Sequence, residues 1–395
     1  MSISKKPKIL FLPSWYPNLT NRYTGIFIRR HAVAVSAFNP MAVLFACSNP
    51  NLQNKTYQID INNDTGFLTI IVYYKKVTSN IPLFSGLLKL YRFLIAYHKG
   101  YKIILKQFGK PDIVHLNVIF PVGIIALFLN LFYKIPLIVS EQWSGYLPES
   151  GKYKLFFQKN ITQFVIHKAS AITTVSEALK NAMQNHRLKN NYHIVPNVVE
   201  TMDSSRLKNI ENNIVKILVV CDLTNEVKNV SDIIKVAALL AAESIDFTIE
   251  IIGDGKDKTM LENLAKEKRI LNKNVFFAGE MSNEDIYEKM LCSDFLILNS
   301  NYETFSCVIA ESFSCGTPVI ATNAGAIPEL VNDNTGILIE PKNMQQLTEA
   351  IRYMMRHHKK FDKLKLHQHV QSRFSYQVVG KQISDIYESV MKFKK

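Results

Sequence analysis

The sequence predicts two doubly wound α/β domains, each built on a mainly parallel sheet. The chain has 395 residues, which is too long for one ordinary domain. Short apolar runs alternate with amphipathic segments in two separate series, and a polar stretch at 200–213 divides the two. Alternating strands and helices imply crossover connections, which place the strands in parallel and the helices on both faces of the sheet.

The first series occupies residues 1–198. Lys8–Pro13 is an apolar run that ends in a proline-bearing loop, and residues 26–37 follow with helical spacing. The same pattern continues, with strands expected at 41–46, 68–74, 113–116, 137–140 and 171–175 and helices at 84–108, 122–132 and 154–168.

The second series begins near Lys216 and runs to about residue 375. Strands are expected at 217–220, 248–253, 275–278, 295–298, 318–321 and 336–339, with helices between them. In open parallel sheets, ligands bind beyond the carboxyl ends of the strands. Two such domains facing each other would therefore enclose a deep cleft.

The composition is typical of a folded globular protein, with 47% hydrophobic and 20% charged residues. The five cysteines show no paired spacing, which argues against a disulfide framework or a zinc site and favours a reducing cytoplasm. The apolar run before Pro13 is too short for a signal peptide. Val118–Val139 is interrupted by prolines, an asparagine and a lysine, so a helix followed by a buried strand is expected rather than a membrane span.

Positive charge is concentrated in the first half of the chain. Residues 1–200 contain 23 Lys and Arg against 7 Asp and Glu, whereas residues 201–395 contain 24 against 26. Such asymmetry indicates that the first domain meets an anionic partner, which could be an acidic substrate, anionic lipid or nucleic acid. Nucleic acid is the weakest candidate because no nucleic-acid-binding motif accompanies the charge.

Leu83–Lys110 combines aromatic and aliphatic residues with five lysines and an arginine. A basic amphipathic helix of this kind can lie on an anionic membrane surface. An ordinary helix that covers the sheet and solvates its basic side explains the same pattern equally well. The sequence leaves both interpretations open.

The segment at 299–325, NSNYETFSCVIAESFSCGTPVIATNAG, carries the strongest chemical signal. A turn-like loop holds Glu303, and a predicted helix holds Glu311. Free NH groups and the positive dipole end at a helix N-terminus suit a diphosphate. A carboxylate farther along the helix can accept both hydroxyls of a ribose, and one on the loop can accept sugar hydroxyls. Taken alone, two such glutamates are more often solvated surface residues.

Glu303 and Glu311 resemble the E-x7-E motif of the family-4 retaining glycosyltransferases, and AESFSCGTPVIAT and AGAIPEL follow as in that family. Further resembling segments occur in the family's order: PSWYPN with Gly25 and Phe27, PDIVH at 111–115, ASAITTVSEAL at 169–179, VPNVVE at 195–200 and the stretch 251–281. The resemblance implies the GT-B fold, in which two Rossmann-like domains face each other across a cleft.

The resemblance also implies a role for each domain. Residues 1–198, with 376–395 crossing back onto them, would bind the acceptor, and residues 199–375 would bind a nucleotide-sugar donor. Glu311 would hold the ribose and Glu303 the donor sugar. The remaining donor-site residues implied are the loop residues Thr304, Phe305, Ser306 and Cys307, the phosphate-neutralising Lys228, and the glycines Gly253 and Gly25. A plain turn glycine is nearly as good an explanation of Gly25.

Several residues depart from the family pattern. Cys221 and Asp222 stand where many relatives carry Gly-Arg, so a second cation for the diphosphate is either missing here or comes from elsewhere in the chain. Thr304 and Ser306 replace glycines, which narrows the loop. Many relatives carry a histidine where this chain has Gln142, which can hydrogen-bond a sugar hydroxyl but cannot take a proton near neutral pH.

Three residues are assigned to the acceptor side: Glu141 and Trp143, which flank Gln142, and His115 at the end of the preceding strand. For His115, a core histidine with satisfied nitrogens is the stronger interpretation.

The predicted function is metal-independent, retaining transfer of a hexose from a UDP- or GDP-linked sugar to a cell-surface polysaccharide, a lipopolysaccharide or a lipid-linked glycan. No cofactor and no nucleic acid are expected, and the expected location is the cytoplasm, peripheral on the inner face of the plasma membrane. A sugar-nucleotide epimerase of the same fold and a non-catalytic nucleotide-sugar-binding protein are the alternatives.

Overall fold

The computed structural model describes residues 6–52, 55–63, 66–78, 81–207 and 214–392, which divide into two units. Unit 1 contains the described residues through Tyr146, Gly151–Val198 and the C-terminal segment from Tyr376. Unit 2 contains Val199–Ser375 together with Leu147–Ser150. Residues 208–213 of the expected linker lie outside the described residues.

The elements of unit 1 before the linker are, in chain order, β1 (Ile9–Pro13), α1 (Ile26–Ser36), β2 (Met41–Asn49), β3 (Tyr57–Asn62), β4 (Leu68–Lys75), α2 (Pro82–Gln107), β5 (Ile113–Asn117), α3 (Gly123–Tyr133), β6 (Leu137–Glu141), α4 (Phe156–Lys168), β7 (Ala171–Thr174), α5 (Glu177–Asn185) and β8 (Tyr192–Ile194).

The elements of unit 2 are β9 (Val215–Val220), α6 (Asn225–Lys228), α7 (Val230–Ala242), β10 (Phe247–Ile252), α8 (Lys258–Glu267), β11 (Val275–Gly279), α9 (Asn283–Leu291), β12 (Phe295–Leu298), α10 (Cys307–Ser314), β13 (Val319–Thr322), β14 (Gly336–Ile339), α11 (Met344–His357) and α12 (Lys363–Phe374). The last helix, α13 (Tyr376–Lys392), belongs to unit 1.

Both sheets are doubly wound, so the predicted fold class is confirmed. The sheet of unit 1 has the order β3-β4-β2-β1-β5-β6-β7-β8, and all its pairings are parallel except β3 with β4. The sheet of unit 2 has the order β11-β10-β9-β12-β13-β14 and is entirely parallel. When its strands are renumbered from β9, this is the 3-2-1-4-5-6 order of dinucleotide-binding folds.

The strands predicted from the sequence are present, and so are the predicted helices, except that β13 and β14 are joined by a three-residue 3-10 helix, Ile327–Glu329, instead of an α-helix. The sequence analysis missed two strands. β3 is an edge strand whose side chains are mostly exposed, so it lacks the buried apolar run that marks the other strands. β8 has only three residues. The apolar run 118–139 forms α3 and β6, as expected. No helix among the described residues has the length and apolar character needed to cross a membrane.

The helices cover unit 1 on two faces. α1 and α13 pack together on one face, where the core includes Phe11, Val35 and Tyr387. α2 lies over β2 and β4 on the other face, and a Cβ at Gly100 would come within 2.2 Å of Leu44 Cδ1. α3 and α4 continue this second layer because α3 packs against α4 and Tyr101 of α2 touches the ring of Tyr133.

Gly380 sets the contact between α1 and α13. A Cβ at this position would lie 2.3 Å from the carbonyl oxygen of Ala34.

We predict that Gly380→Ala lowers the free energy of unfolding by about 1–3 kcal/mol, because a backbone clash cannot be relieved by a rotamer change. At Gly86 in α2, a Cβ would meet no atom of the described residues within 4 Å. Gly86→Ala is the matched control and should gain about 1 kcal/mol from helix propensity. Denaturant unfolding followed by circular dichroism measures both, and equal stability of the two variants would contradict this packing.

Candidate active site

In unit 2 the strand order reverses between β9 and β12, which are neighbours in the sheet. The loops that leave their carboxyl ends turn to opposite faces, so a crevice opens between them. The loop after β9 leads into α6 and carries Lys228, and the loop after β12 carries Glu303. The fold therefore brings together two of the residues singled out from the sequence.

Two asparagines of the β12 loop anchor α6. Asn299 Nδ2 donates to the carbonyl oxygen of Asn229 at 3.1 Å. Asn301 is bonded twice, because its backbone NH donates to Val227 at 2.7 Å and its side chain donates to Glu226 at 2.8 Å. These bonds fix the end of α6 against the β12 loop and thereby set the position of Lys228.

Lys228 and Glu303 form an ion pair between Nζ and Oε1. Both side chains are mostly buried, with 19% and 15% of their surfaces exposed. Ser300 Oγ donates to the same carboxylate oxygen at 2.9 Å. Burial, the largest single influence, lowers the pKa of Lys228, but the attraction and hydrogen bond of Glu303 together with Cys221 and Asp222 outweigh it, and the pKa of the lysine is raised. The site thus holds a cation beside a carboxylate.

Glycines let the surrounding backbone approach closely. Gly325 has φ +54°, and a Cβ there would lie 2.1 Å from the carbonyl oxygen of Glu303, which accepts a bond from Ala326 NH at 3.0 Å. Gly253 has φ +138°, and a Cβ there would lie 1.9 Å from the carbonyl oxygen of Cys221. Gly253 NH donates to Gly279 at 2.8 Å, so this glycine holds two strand ends together.

The helix α10 begins directly after the Glu303 loop. Its N-cap is Ser306, which has a left-handed backbone with φ +67°. The Ser306 hydroxyl is buried and has no hydrogen-bond partner among the described residues. Phe305 anchors the turn because its ring packs edge-on against Phe374, with 5.4 Å between centroids. Thr304 and Cys307, which flank these two residues, are partly exposed.

The NH groups in the first turn of an α-helix have no carbonyl partners within the helix. At α10 they lie beside a strained residue and an unpaired hydroxyl, which is an arrangement suited to an anionic group. Glu311 is partly exposed in the second turn of the same helix. The structure therefore places Glu303, residues 304–307 and Glu311 on one continuous loop and helix.

The two residues that depart from the Gly-Arg pattern add no cation. Asp222 is exposed, and its carboxylate accepts a hydrogen bond from the Thr224 hydroxyl. Burial raises the pKa of the Cys221 thiol to about 12, so this thiol stays neutral. Lys228 is consequently the cation that the loop after β9 contributes.

In unit 1, the loop after β6 is organised by Glu141. Its carboxylate is buried and accepts bonds from the NH groups of Gln142 at 2.9 Å, Trp143 at 3.0 Å and Ile119 at 3.1 Å, with the hydroxyl of Tyr146 at 3.3 Å. Burial raises the pKa of Glu141, and these hydrogen bonds oppose the rise. Both carboxylate oxygens are engaged within the protein, so Glu141 fixes the shape of the loop.

Gln142 differs from its neighbour. Its side chain is 6% exposed, and neither amide atom has a hydrogen-bond partner among the described residues. Burying an amide without partners costs free energy, so this amide retains donor and acceptor capacity that a ligand at the strand end could use. Trp143, which follows, is partly buried and stacks edge-on against Tyr146 with centroids 5.3 Å apart.

The surroundings of His115 are those of the core histidine that the sequence analysis favoured. The ring is fully buried, its Nδ1 lies 2.6 Å from the Tyr387 hydroxyl, and its Nε2 lies 2.7 Å from Ser140 Oγ. Burial lowers the pKa of His115 to about 3, which keeps the ring neutral. With both nitrogens engaged, His115 joins the sheet to α13.

The need for glycine at position 25 is explained by contacts within unit 1. Its φ is +70°, and a Cβ there would lie 2.4 Å from the carbonyl oxygen of Trp15. Only glycine fits this turn at the start of α1.

Sequence reasoning missed the residues that hold the site in place, namely Asn299, Ser300, Asn301 and the supporting role of Glu141. Asparagine and serine are common in loops, so their presence after β12 was no distinctive signal. Among the described residues no group of three or more histidine, cysteine, aspartate or glutamate side chains could hold a metal ion.

Known proteins resemble this chain in both sequence and fold. The family model "Glycosyltransferase Family 4" matches residues 63–202, and "Glycosyl transferases group 1" matches residues 201–367. N-acetyl-alpha-D-glucosaminyl L-malate synthase of Bacillus anthracis is 30% identical over 191 residues. That match spans 46% of this chain and about half, 49%, of the relative.

Solved structures share the fold over nearly the whole chain. Sucrose-phosphate synthase of Thermosynechococcus elongatus superposes with a TM-score of 0.76 at 15% identity, covering 98% of this chain and 99% of its own. HepE of Anabaena in complex with UDP superposes with a TM-score of 0.73 at 18% identity, covering 97% and 100%. The two family models together account for most of the chain, and the fold matches over its length: the protein belongs to the group 1 glycosyltransferases, with the GT-B fold.

Proposed function

We propose that the protein transfers a hexose from a nucleotide sugar to a glycan acceptor with retention of configuration at the anomeric carbon. The observation that carries the proposal is the buried Lys228–Glu303 pair beside the N-terminus of α10, at the switch point of a dinucleotide-type sheet. Family membership supplies the reaction class, and the site supplies the chemistry.

Unit 2 would bind the donor. The first turn of α10 and the hydroxyl of Ser306 would contact the diphosphate, and Glu311 would accept the ribose hydroxyls. Glu303 would accept hydroxyls of the donor sugar. HepE has been solved with UDP and with UDP-glucose, which supports a nucleotide sugar with uridine here. A guanosine donor stays a second candidate because no described contact selects the base.

The reaction follows from where charge develops. The bond between the anomeric carbon and the phosphate oxygen breaks, and the bond from the acceptor oxygen to that carbon forms on the same face. The acceptor's proton passes to the leaving phosphate oxygen. Lys228 and the N-terminus of α10 stabilise the negative charge that grows on the diphosphate, so we infer that no metal is required.

Unit 1 would bind the acceptor. Gln142 offers a buried amide with two unused atoms, which can donate to and accept from a sugar hydroxyl. Trp143 supplies an aromatic surface next to it. The excess of positive charge in the first half of the chain favours an acidic or lipid-linked glycan and attachment to the inner face of the plasma membrane. The five cysteines all lie among the described residues and form no disulfide, which is consistent with work in the cytoplasm.

A panel of UDP- and GDP-sugars tests the proposal. Thermal shift identifies the donor, since a ligand that binds the native state stabilises it by mass action. Slow hydrolysis of that donor, with the released sugar in its original anomeric form, is the expected result. Interconversion of the sugar would show an epimerase, and binding without any turnover would show a non-catalytic protein.

We predict that Ser306→Gly stabilises the free protein and weakens nucleotide binding. Glycine removes a left-handed non-glycine backbone, worth about 1 kcal/mol, together with a buried unpaired hydroxyl. Loss of a hydrogen bond from the Ser306 hydroxyl to a charged phosphate should weaken binding of the nucleoside diphosphate by about tenfold. Thermal unfolding and calorimetry measure the two effects. Ser244→Gly is the matched control because Ser244 also has a left-handed backbone, with φ +58°, but is exposed and lies after α7, outside the proposed site. It should gain stability and bind UDP normally, and a Ser306→Gly protein that binds UDP as tightly as wild type would remove the hydroxyl from the site.

We predict that Glu311→Ala weakens binding of the nucleoside diphosphate by about 1.5–3 kcal/mol, because charge-assisted bonds to the ribose hydroxyls are lost. Glu349→Ala, on the exposed side of α11, is the matched control and should bind normally. Calorimetry with UDP and GDP provides the measurement. Unchanged affinity in a folded Glu311→Ala protein would show that another group holds the ribose.

We predict that Lys228→Ala lowers turnover by more than it lowers donor affinity, because the charge that Lys228 neutralises grows as the sugar bond breaks. The expected loss of turnover is about 100-fold or more. Lys235→Ala in α7, which removes an exposed lysine paired with Asp232, is the control. Donor hydrolysis under saturating conditions and calorimetry separate the two effects, and near-normal turnover would show that a different cation carries the phosphate.

A further inference from the structure

α2 carries two apolar stripes, and only one of them is buried. Phe93, Tyr97 and Ile104 point into the unit, where α2 covers the sheet. A second stripe of large apolar residues follows the helical spacing along α2 and is exposed: Phe84, Leu87, Tyr91, Leu94 and Leu105. A helix that only covered a sheet would present polar residues on this side.

The exposed apolar surface continues onto the two neighbouring helices. On α3, Phe132 is 72% exposed, and its ring lies 4.8 Å from that of Phe128, which is also exposed. At the start of α4, Phe156 is 78% and Phe157 is 67% exposed. Because α2, α3 and α4 form one layer on the same face of the sheet, these side chains lie on one helical layer, whose outer side we call the α2–α4 face. Soluble monomers rarely expose this many large apolar groups together.

The charge of the α2–α4 face has one sign. The three helices contain seven lysine and arginine residues and no aspartate or glutamate. The opposite face of unit 1 differs, because α13 carries Asp385 and Glu388 beside its lysines. Apolar side chains flanked by cations fit a surface with anionic head groups above an apolar interior.

We propose that the α2–α4 face docks on an anionic lipid bilayer, with Phe156, Phe157 and the outward stripe of α2 inserted at the head-group boundary. The inference deepens the membrane attachment proposed above by naming the surface. Each of the three helices follows the carboxyl end of a strand, so their first turns lie at one edge of the sheet. Gln142 follows β6 at that same edge, so a docked unit 1 would hold its acceptor loop next to the bilayer, where a lipid-linked glycan begins.

A second copy of the chain is a poorer occupant. Two identical acid-free faces would bring lysine against lysine with no carboxylate to neutralise them. An acidic glycan is also a poorer occupant, since it would use the cations and leave the phenylalanines in water.

Sedimentation of the full-length protein with vesicles tests the proposal. Vesicles of phosphatidylcholine alone are compared with vesicles that also contain phosphatidylglycerol, at low and high salt. Wild type should pellet with the anionic vesicles at low salt and be released as salt rises. Phe156→Ser with Phe157→Ser, and separately Lys102→Glu with Lys106→Glu, should each weaken binding by about tenfold or more. The matched controls in unit 2 are Leu239→Ser with Met260→Ser and Lys273→Glu with Lys365→Glu, all at exposed positions, and these should bind like wild type.

Three results would overturn the proposal: no pelleting with anionic vesicles, equal loss in the unit 2 controls, or a dimer in analytical ultracentrifugation that the α2–α4 variants dissolve. Binding of UDP by calorimetry is measured on every variant. Because UDP binding reports on unit 2, thermal unfolding followed by circular dichroism is also recorded, and loss of vesicle binding with wild-type unfolding and normal UDP binding isolates the surface. Absence of any nucleotide binding in wild type would instead refute the proposed function and would not bear on the membrane-docking proposal.

Discussion

The constraint on which the molecule depends is the order of its parallel strands. In each unit the chain winds outward from a central strand in one direction and then in the other, so two adjacent loops part at the carboxyl edge. In unit 2 these loops carry Lys228 and Glu303, and in unit 1 the carboxyl edge carries Gln142. Everything inferred about ligands concerns side chains that this topology gathers at a strand end.

The carboxyl edge of unit 2 is costly to build. A lysine and a glutamate are largely buried, Ser306 has a backbone that favours glycine, and its hydroxyl has no partner among the described residues. The network around Asn299 and Asn301 compensates by fixing the loops through backbone carbonyls. Such a combination of strain and rigid support is typical of a site prepared for a ligand that completes the unused bonds.

The excess of positive charge and the proposed donor site are located in different parts of the chain. The residues proposed to bind the donor lie in the half of the chain that is nearly neutral, whereas the excess of cations lies in the half proposed to meet the acceptor. On the α2–α4 face the cations accompany exposed aromatic residues, and the opposite face of unit 1 carries acids as well. On unit 1, the face that combines cations with exposed aromatic residues is therefore also the face whose helices lack acids, which a count of residues cannot reveal.

The sequence by itself determined the local features of this protein: the alternating strands and helices and the loop-helix segment that carries Glu303 and Glu311. These features depend on periodicity and on short motifs, which are readable within about 20 residues. Tertiary structure alone decided which distant groups meet. It placed Lys228 on Glu303, 75 residues away, and directed His115 to Tyr387 in the core. It also occupied the carboxylate of Glu141 with backbone NH groups, left Gln142 unpaired among the described residues and turned one apolar stripe of α2 outward. Sequence patterns specify which residues are apolar or charged, but burial and pairing depend on the neighbours that the sheet order brings into contact.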